Sequence, residues 1–457
     1  MTAAPGASDV PGDAAKIGIS VWLSDYRSAA HQDQPELAET AAAEFNQAHP
    51  EYRVEIKSQA FRTLPARVIQ AAERGEQPDV AELEFSVTQP ALDALGRDGA
   101  PLFTPVERAI AGRTEILGEA VVLGDMVPAV RDYFRHTGEL AAVTRTASTV
   151  LLYANMDILA RAGVAEPPRT WRDVLAACRA VAALPAGPPA CITWPNHYWF
   201  FLQAVAQQGG LITDRQNGRL GRAEQVSLDS AEMMAFVAWW RRLHQDGYYR
   251  YTGKPYDFPG CFEAFENQQV ALVLSSSVDA PHMRQRGQRR GFAVEAGRMP
   301  YNDEVRLAGN TVGAHSLWLT AGLSPEKQDG ALAFMQYLIS PRHAAEWAKL
   351  QTRVPVTRAA ASLLDREGWL DRNPDFRAAT GQLEGADGSA AALGPVLGGY
   401  AAMVDEIHGA MHDVLTAEAE PAARFTQASA TAQQALDAYN SYCAGPPRRT
   451  PCDLTVR

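Results

Sequence analysis

The stretch that decides the fold is Ile17-Gly18-Ile19-Ser20-Val21-Trp22-Leu23-Ser24-Asp25-Tyr26, together with the residues that continue it as far as Lys57. Ile17, Ile19 and Val21 alternate with Gly18 and Ser20, the two-residue period of a strand, and the polar turn from Leu23 to Tyr26 ends it. From Pro35 the apolar positions Leu37, Ala41 and Phe45 recur every four residues, one face of a helix that stops before Pro50. Val54 and Ile56 then alternate with Arg53, Glu55 and Lys57 as a second strand. Strand, helix and strand in so short a span make a βαβ unit, whose right-handed crossover gives a parallel sheet. Ligands of such sheets gather beyond the carboxyl ends of the strands. On that rule Trp22, Asp25 and Tyr26, and Glu82 and Glu84 after a strand near Val80, are expected to project toward a cleft.

Working outward, Pro167-Pro168-Arg169-Thr170-Trp171 reads as a turn whose Thr170 caps a helix, with Asp173 at the positive end of its dipole. Ser324-Pro325-Glu326 and Ser340-Pro341 repeat that grammar, and Leu332, Met335 and Leu338 supply an apolar face. The last third holds few strand-like segments and many Ala-rich helical windows, such as 410–419 and 428–439. The chain thus reads as α/β with a helical finish. Its 457 residues allow about three domains, or two large lobes. The formal net charge of −11 argues against nucleic acid as a partner. The arginine-rich run Arg284, Arg286, Arg289 and Arg290 reads as a solvated loop. No uninterrupted apolar run reaches the ~18 residues of a spanning helix. Residues 1–16 have the small-residue composition of a flexible tether. Among the five cysteines there is no metal-finger spacing; Cys178 with Cys191, or Cys443 with Cys452, can pair in an oxidising compartment, and buried free thiols fit equally.

The chain carries no phosphate-cradling glycine loop, no dinucleotide-binding fingerprint, no nucleophile elbow and no paired-histidine zinc motif. His408 and His412, four apart on a helix, read as exposed-face histidines rather than ligands. Asp25, Glu82 and Glu84 are the carboxylates that could serve acid and base work on a glycosidic bond. The densest signal is Trp194-Pro195-Asn196-His197-Tyr198-Trp199-Phe200-Phe201, because no regular period buries so many rings at once. Phe200 and Phe201 read as core, while Trp194 and Trp199 are weighed evenly between core and cleft. An indole face there suits the C–H side of a sugar or a quaternary ammonium group.

Five motifs in order carry a family resemblance over residues 17–440. Leu151-Leu152-Tyr153-Ala154-Asn155-Met156-Asp157, Ala162-Gly163 and Pro167-Pro168-Arg169-Thr170-Trp171 resemble the L-Y-Y-N-K-D, A-G and P-P-K-T-W signature of extracellular solute-binding protein family 1 of carbohydrate ABC importers. Phe265-Glu266-Asn267-Gln268-Gln269-Val270-Ala271-Leu272 resembles its F-x-N-G-x-x-A-M. Ser316-Leu317-Trp318 with Ala344-Ala345-Glu346-Trp347 resembles the glycerol-3-phosphate/glycerophosphodiester-binding branch. The resemblance implies a type II-like two-lobed periplasmic-binding-protein fold, each lobe a mainly parallel sheet flanked by helices. It implies a tether at 1–16, an N-terminal lobe of 17–145 plus 298–352, a C-terminal lobe of 146–297 plus 353–440 and a tail at 441–457, with crossings near 145, 298 and 353. The implied ligand contacts are Asp25, Tyr26, Phe61, Glu84, Ser148, Trp194, Tyr198, Trp199, Ser276, Gly313, Ala314 and Arg353. Glu84 matches the acidic hydroxyl binder and Phe61 stands where the branch has tyrosine, which removes one hydroxyl bond. Ser148 and Ser276 match small hydroxyl contacts, Trp194 and Trp199 an aromatic wall, and Gly313 with Ala314 backbone donors. Two departures concern charge: Thr352-Arg353 replaces the branch's Gly-Tyr, and its phosphate-gripping arginine is missing around Leu393. Arg353 either restores a cation or pairs with a carboxylate.

The expectation is therefore a non-enzymatic substrate-binding component of an ABC importer. It would capture a sugar or a glycerol-linked sugar or phosphodiester between its lobes and deliver it to membrane permease subunits. No cofactor, metal or nucleic acid is expected, and the protein is expected to be a monomer. It is expected outside the cytoplasmic membrane, as an anchored lipoprotein or a periplasmic or cell-surface protein. The competing expectation is a secreted glycoside-active enzyme using the cleft carboxylates.

Overall fold

A computed structural model describes residues 16–25 and 34–443. Strand β1 (Ile17–Asp25) buries Ile19, Val21 and Leu23 and pairs in parallel with β2 (Tyr52–Ala60), the helix Gln34–Ala48 joining them. Phe45 of that helix is fully buried and meets Phe334 edge-on at 5.2 Å, so the four-residue period is the face that closes the core. Strand β3 (Val80–Glu84) is parallel to β1 on its other side. Strand β4 (Phe103–Thr104) and strand β5 (Val143–Ser148) complete the first sheet through β10 (Gly313–Thr320), which runs antiparallel to β3, β4 and β5.

A second sheet has the order β7 (Ile192–Thr193), β8 (Leu272–Ser276), β6 (Val150–Asn155), β9 (Val294–Arg298). Here β7 and β8 are parallel, and β6 is antiparallel to both β8 and β9. Parallel pairing is thus confined to strands linked by local crossovers within their own sheet. The strands that enter from the other sheet, β6 and β10, are freed from the crossover rule and run antiparallel, which the sequence pattern alone does not separate. The chain passes from β5 to β6 through Thr149 alone, and returns from β9 to β10 through residues 299–312. After β10 it runs through helices to Cys443, including Tyr400–Thr416 and Pro421–Cys443.

The caps act as their chemistry dictates. Thr170 and Asp173 form a reciprocal capping box at the start of Trp171–Ala182, and Ser324 Oγ accepts the Lys327 N–H at 3.3 Å. Ser340 instead bonds the His343 ring at 3.0 Å. Cys178 and Cys191 are disulfide-bonded, with Cα atoms 5.1 Å apart, while Cys261 is a buried thiol. Cys443 is also in a disulfide; Cys452 lies outside the described residues. The arginine run is a helix, Ala280–Arg290, rather than a loop. Its Arg284 pairs with Asp375, 91 residues on, and Arg286 with Glu266 at the end of the preceding α-helix.

Candidate functional site: the facing edges of two sheets

Ladder register brings the first-lobe candidates together. Asp25 ends β1 opposite Ala60 of β2, so Phe61 comes next at the same edge, and β3 ends beside them at Glu84. Antiparallel β10 begins at that edge, with His315 opposite Glu84 and Gly313 opposite Ser148, the last residue of β5; Ala314 stands opposite Ala147. In the second sheet Ser276 ends β8 opposite Val150, the first residue of β6, and parallel β7 ends at Thr193, leading into Trp194. Because only Thr149 separates Ser148 from Val150, these two edges face each other. Thr149 is locked there: its carbonyl accepts the Ser277 N–H at 2.7 Å and its N–H donates to Ser277 Oγ at 3.2 Å. Tyr26 lies outside the described residues, as does the side chain of Asp25.

The two acidic candidates on β3 differ sharply. Glu82 is fully buried and bidentate with Arg145 at 2.8 and 3.0 Å, and it also accepts the Ser24 N–H at 2.8 Å. The Arg145 guanidinium lies over the Trp347 ring at 5.0 Å. The expectation that Glu82 projects into the cleft is corrected by this pairing, since all of its charge is spent inside the fold. Glu84 pairs with no guanidinium among the described residues: its Oε2 accepts the Ser86 N–H at 2.9 Å and the Ser86 hydroxyl, closing the turn that ends the strand. Burial pushes its pKa up to about 7, and the two Ser86 bonds and the nearby Arg62 pull only partly against it.

Around Glu84 the structure gathers rings that sequence spacing scatters widely. Phe85 meets Tyr133 edge-on at 5.7 Å and Tyr400 at 6.3 Å, and Tyr400 meets Tyr198 at 5.8 Å. Burial raises the pKa of the Tyr133, Tyr198 and Tyr400 hydroxyls, so each stays a protonated donor. The Tyr400 hydroxyl and the Trp199 indole N–H are buried and have no hydrogen-bond partner among the described residues. Trp199 also touches the opposite edge, since a Cβ added at Gly313 would lie 2.9 Å from its ring and 2.9 Å from Ser148 Oγ. Gly313 is therefore where the indole needs a bare backbone.

The aromatic stretch divides between two environments. Trp194 is fully buried, stacked on Trp239 at 5.6 Å and packed on Trp240 and Tyr249 within the second lobe. Phe200 and Phe201 are core, as expected. Tyr198 and Trp199 face Tyr400 and Gly313. His408 corrects the exposed-face expectation: it is buried, and its Nε2 accepts the Tyr198 N–H at 2.7 Å, capping the helix Tyr198–Gln207. His412 bonds the Tyr251 hydroxyl at 2.8 Å. No cluster of potential metal ligands occurs among the described residues.

Phe61 presents its ring edge-on to His315 at 6.4 Å, under the Arg62 guanidinium at 5.3 Å. Ser148 Oγ donates to the Gly313 carbonyl at 3.2 Å, and Ser276 Oγ accepts the Val278 N–H at 3.2 Å. Arg353 is buried on the third passage of chain, where Val354 N–H donates to Ala147 O at 2.9 Å and Thr352 Oγ1 to Val278 O at 2.9 Å. Burial lowers the pKa of His315, and the Arg353 charge adds to that effect. Burial raises Asp279, against which Ser275 and the charges of His282 and Arg353 pull. Sequence reasoning missed Tyr133 and Tyr400, and it set His408 on an exposed face. Gly399-Tyr400, at a left-handed glycine starting a helix, is the one signal that could have drawn attention to the last part of the chain.

Two mixed α/β bodies with a polar, ring-lined seam define a solute-binding protein. The chain belongs to the bacterial extracellular solute-binding protein family, whose model matches residues 40–378. It is 27% identical over 360 residues, 76% of each chain, to the sn-glycerol-3-phosphate-binding periplasmic protein UgpB of Salmonella typhimurium. Over 289 residues it is 28% identical to its Escherichia coli K12 counterpart, covering 60% of this chain and 64% of that one. The fold matches the cyclic α-maltosyl-1,6-maltose binding protein of Arthrobacter globiformis (TM-score 0.74, 16% identity, 93% and 100% of the two chains). It also matches UgpB of Mycobacterium tuberculosis in complex with glycerophosphocholine (TM-score 0.66, 19% identity, 93% and 99% of the two chains).

Proposed function

We propose that this protein is the substrate-binding component of an ABC importer and holds a sugar or a glycerol-linked sugar or phosphodiester between its lobes. The observation that carries the reading is the seam itself. A carboxylate with no cationic partner in contact among the described residues, Glu84, sits among Tyr133, Tyr198 and Tyr400, beside two buried donors, Tyr400 Oη and Trp199 Nε1, that no described residue satisfies. Buried polar groups left open in this way are matched by a polyhydroxylated guest, with ring faces against its C–H surface. The relatives named for sn-glycerol 3-phosphate, glycerophosphocholine and maltosaccharides support the same class. Phe61, Ser148, Ser276, Gly313, Ala314 and Arg353 border the same seam and complete the proposed contact set. Asp25 and Tyr26 remain in it as sequence-based assignments. Trp194 supports the wall from behind, through the core.

The proposed lobes follow the sequence-based bounds 17–145 plus 298–352 and 146–297 plus 353–440, moved to 148 at the first crossing and 299 at the second so that β5 and β9 stay whole, and closure between them would create the surface read by the permease. No turnover is proposed, because the charge of Glu82 is engaged by Arg145. The tether-like residues 1–16 suit a protein held at the outer face of the membrane or released into the periplasm, which fractionation of the producing cells would check. The decisive experiment is a thermal-shift panel of maltose, maltotetraose, sn-glycerol 3-phosphate and glycerophosphocholine. A bound solute at 100 times its dissociation constant adds ~2.7 kcal/mol. A flat panel, or release of reducing ends from the sugars, would end the reading. Loss of only the phosphate-bearing hits in Arg353→Ala would assign that side chain to the anion.

A further inference from the structure

Besides the three passages of chain, the two sheets' bodies are joined by a dense polar contact that meets the proposed solute site at Tyr133. On the first body Asp93 ends the helix Thr88–Asp93 that comes after β3, and Tyr133 and Thr137 precede β5. On the second body Arg219 and Arg222 lie in the segment before the helix Ala231–Gln245, Leu393 and Gly394 end a short helix, and Tyr439 lies on Pro421–Cys443. Arg222 Nη1 donates to Asp93 Oδ2 at 2.9 Å, its Nη2 pairs with Asp93 Oδ1, and the Tyr439 hydroxyl donates to Asp93 Oδ2 at 2.8 Å. Asn440 braces the same arginine, with Arg222 Nη1 reaching its Oδ1 at 3.4 Å.

Arg219 forms the second half of the contact. Its Nη2 donates to Leu393 O at 2.8 Å and Gly394 O at 2.7 Å, which aims the remaining Nη1 across the seam at the Tyr133 carbonyl. Its guanidinium lies over the Tyr133 ring at 4.7 Å. The Thr137 N–H answers by donating to Arg219 O at 2.9 Å, and the Tyr133 hydroxyl donates to Pro395 O at 3.2 Å. Arg219 is buried and Asp93 nearly so, which makes these charge-assisted bonds stronger than rim contacts.

We propose that Arg222 with Asp93, and Arg219 with the Tyr133 carbonyl, form an interlobe latch that holds the lobes together in the absence of solute. Arg219 and Arg222 are then positioning residues: Arg222 bonds Asp93, outside the proposed contact set, and Arg219 meets Tyr133 at its carbonyl and ring face, and together they set how much of the protein is closed before a guest arrives. A latch of this kind raises affinity for every solute alike, because it lowers the cost of closure rather than adding a contact. The proposal rests on the two-lobed closure reading but needs no knowledge of the solute.

The test uses the full chain without added ligand. Small-angle X-ray scattering is compared for the native protein, Arg222→Gln, Arg219→Gln, and the exchanged pair Asp93→Arg with Arg222→Asp. Losing a charged bond of this type changes the ratio of open to closed forms about tenfold. Arg222→Gln and Arg219→Gln should therefore show a larger radius of gyration than the native protein, with unchanged far-ultraviolet circular dichroism. Raising the salt concentration should expand the native protein toward the Arg222→Gln value, and the exchanged pair should return toward native dimensions. Identical scattering of native and single-variant proteins would overturn the latch. So would an exchanged pair that stays as expanded as Arg222→Gln while keeping its secondary structure. A flat solute panel alongside a positive scattering result would count against the proposed solutes and leave the latch standing.

Discussion

Glu82 and Glu84 stand two residues apart on one strand, both buried, and they have opposite fates. Glu82 meets a guanidinium in bidentate geometry and a backbone N–H, so its charge is answered inside the first lobe. Among the described residues Glu84 hydrogen-bonds to Ser86 and lies among protonated tyrosines, with Arg62 nearby, so burial outweighs what answers its charge. The lesson is that the same carboxylate on one β-strand is neutralised where a guanidinium reaches it and has its pKa raised by burial where none does. One strand pleat deeper, the same side chain is structural.

The contrast is broken most severely by removing the partner of Glu82. Arg145→Met strands a buried carboxylate and should lower stability by ~3–5 kcal/mol in urea melts, whereas Glu82→Leu with Arg145→Met should recover most of that loss. A double variant no better than the single one would mean that the pair holds more than its own charges.

The converse change acts on Glu84. Its folded pKa is raised from 4.5 to about 7, so the folded protein holds an extra proton between those values, and stability falls as pH rises through that window. Above pH 7 the full cost, ~3 kcal/mol, is present. Glu84→Gln should thus be more stable than the native protein at pH 8, nearly equal to it at pH 4.5, and should bind none of the panel solutes. Urea melts at both pH values together with the thermal-shift panel measure this. An unchanged pH dependence would show that Glu84 is not the uncompensated group.

Two smaller changes sharpen the comparison on the facing edge. Gly313→Ala inserts a methyl 2.9 Å from the Trp199 ring and should weaken closure by ~1–3 kcal/mol, read as loss of affinity by titration calorimetry with any solute that shifts the melt. Tyr400→Phe removes a buried hydroxyl that has no partner among the described residues. It should leave the free protein's stability unchanged and cost ~1 kcal/mol in solute affinity. A loss of stability there would mean that the hydroxyl is already satisfied within the protein.

Much of this is legible in the order of residues alone. The alternation of Ile17, Ile19 and Val21 and the four-residue period of Leu37, Ala41 and Phe45 specify the first βαβ unit, because side-chain periodicity reports local geometry. The proline-linked caps at Thr170 and Ser324 mark helix starts for the same reason. His408 misleads, because a histidine on a helix face looks exposed until a distant aromatic segment packs on it. The antiparallel direction of β6 and β10 is equally invisible, since strand order across a hinge leaves no local trace.

The sequence by itself determined the first βαβ unit, the caps at Thr170 and Ser324 and the family, since each depends on near neighbours or on motifs in order. It also placed Glu82 and Glu84 together at the end of β3. Only the tertiary structure decided which of them is paired with a guanidinium, because that depends on Arg145 reaching one and on Tyr133, Tyr198 and Tyr400 converging on the other. Those partners lie tens to hundreds of residues away, and their distance in sequence carries no record of their distance in space.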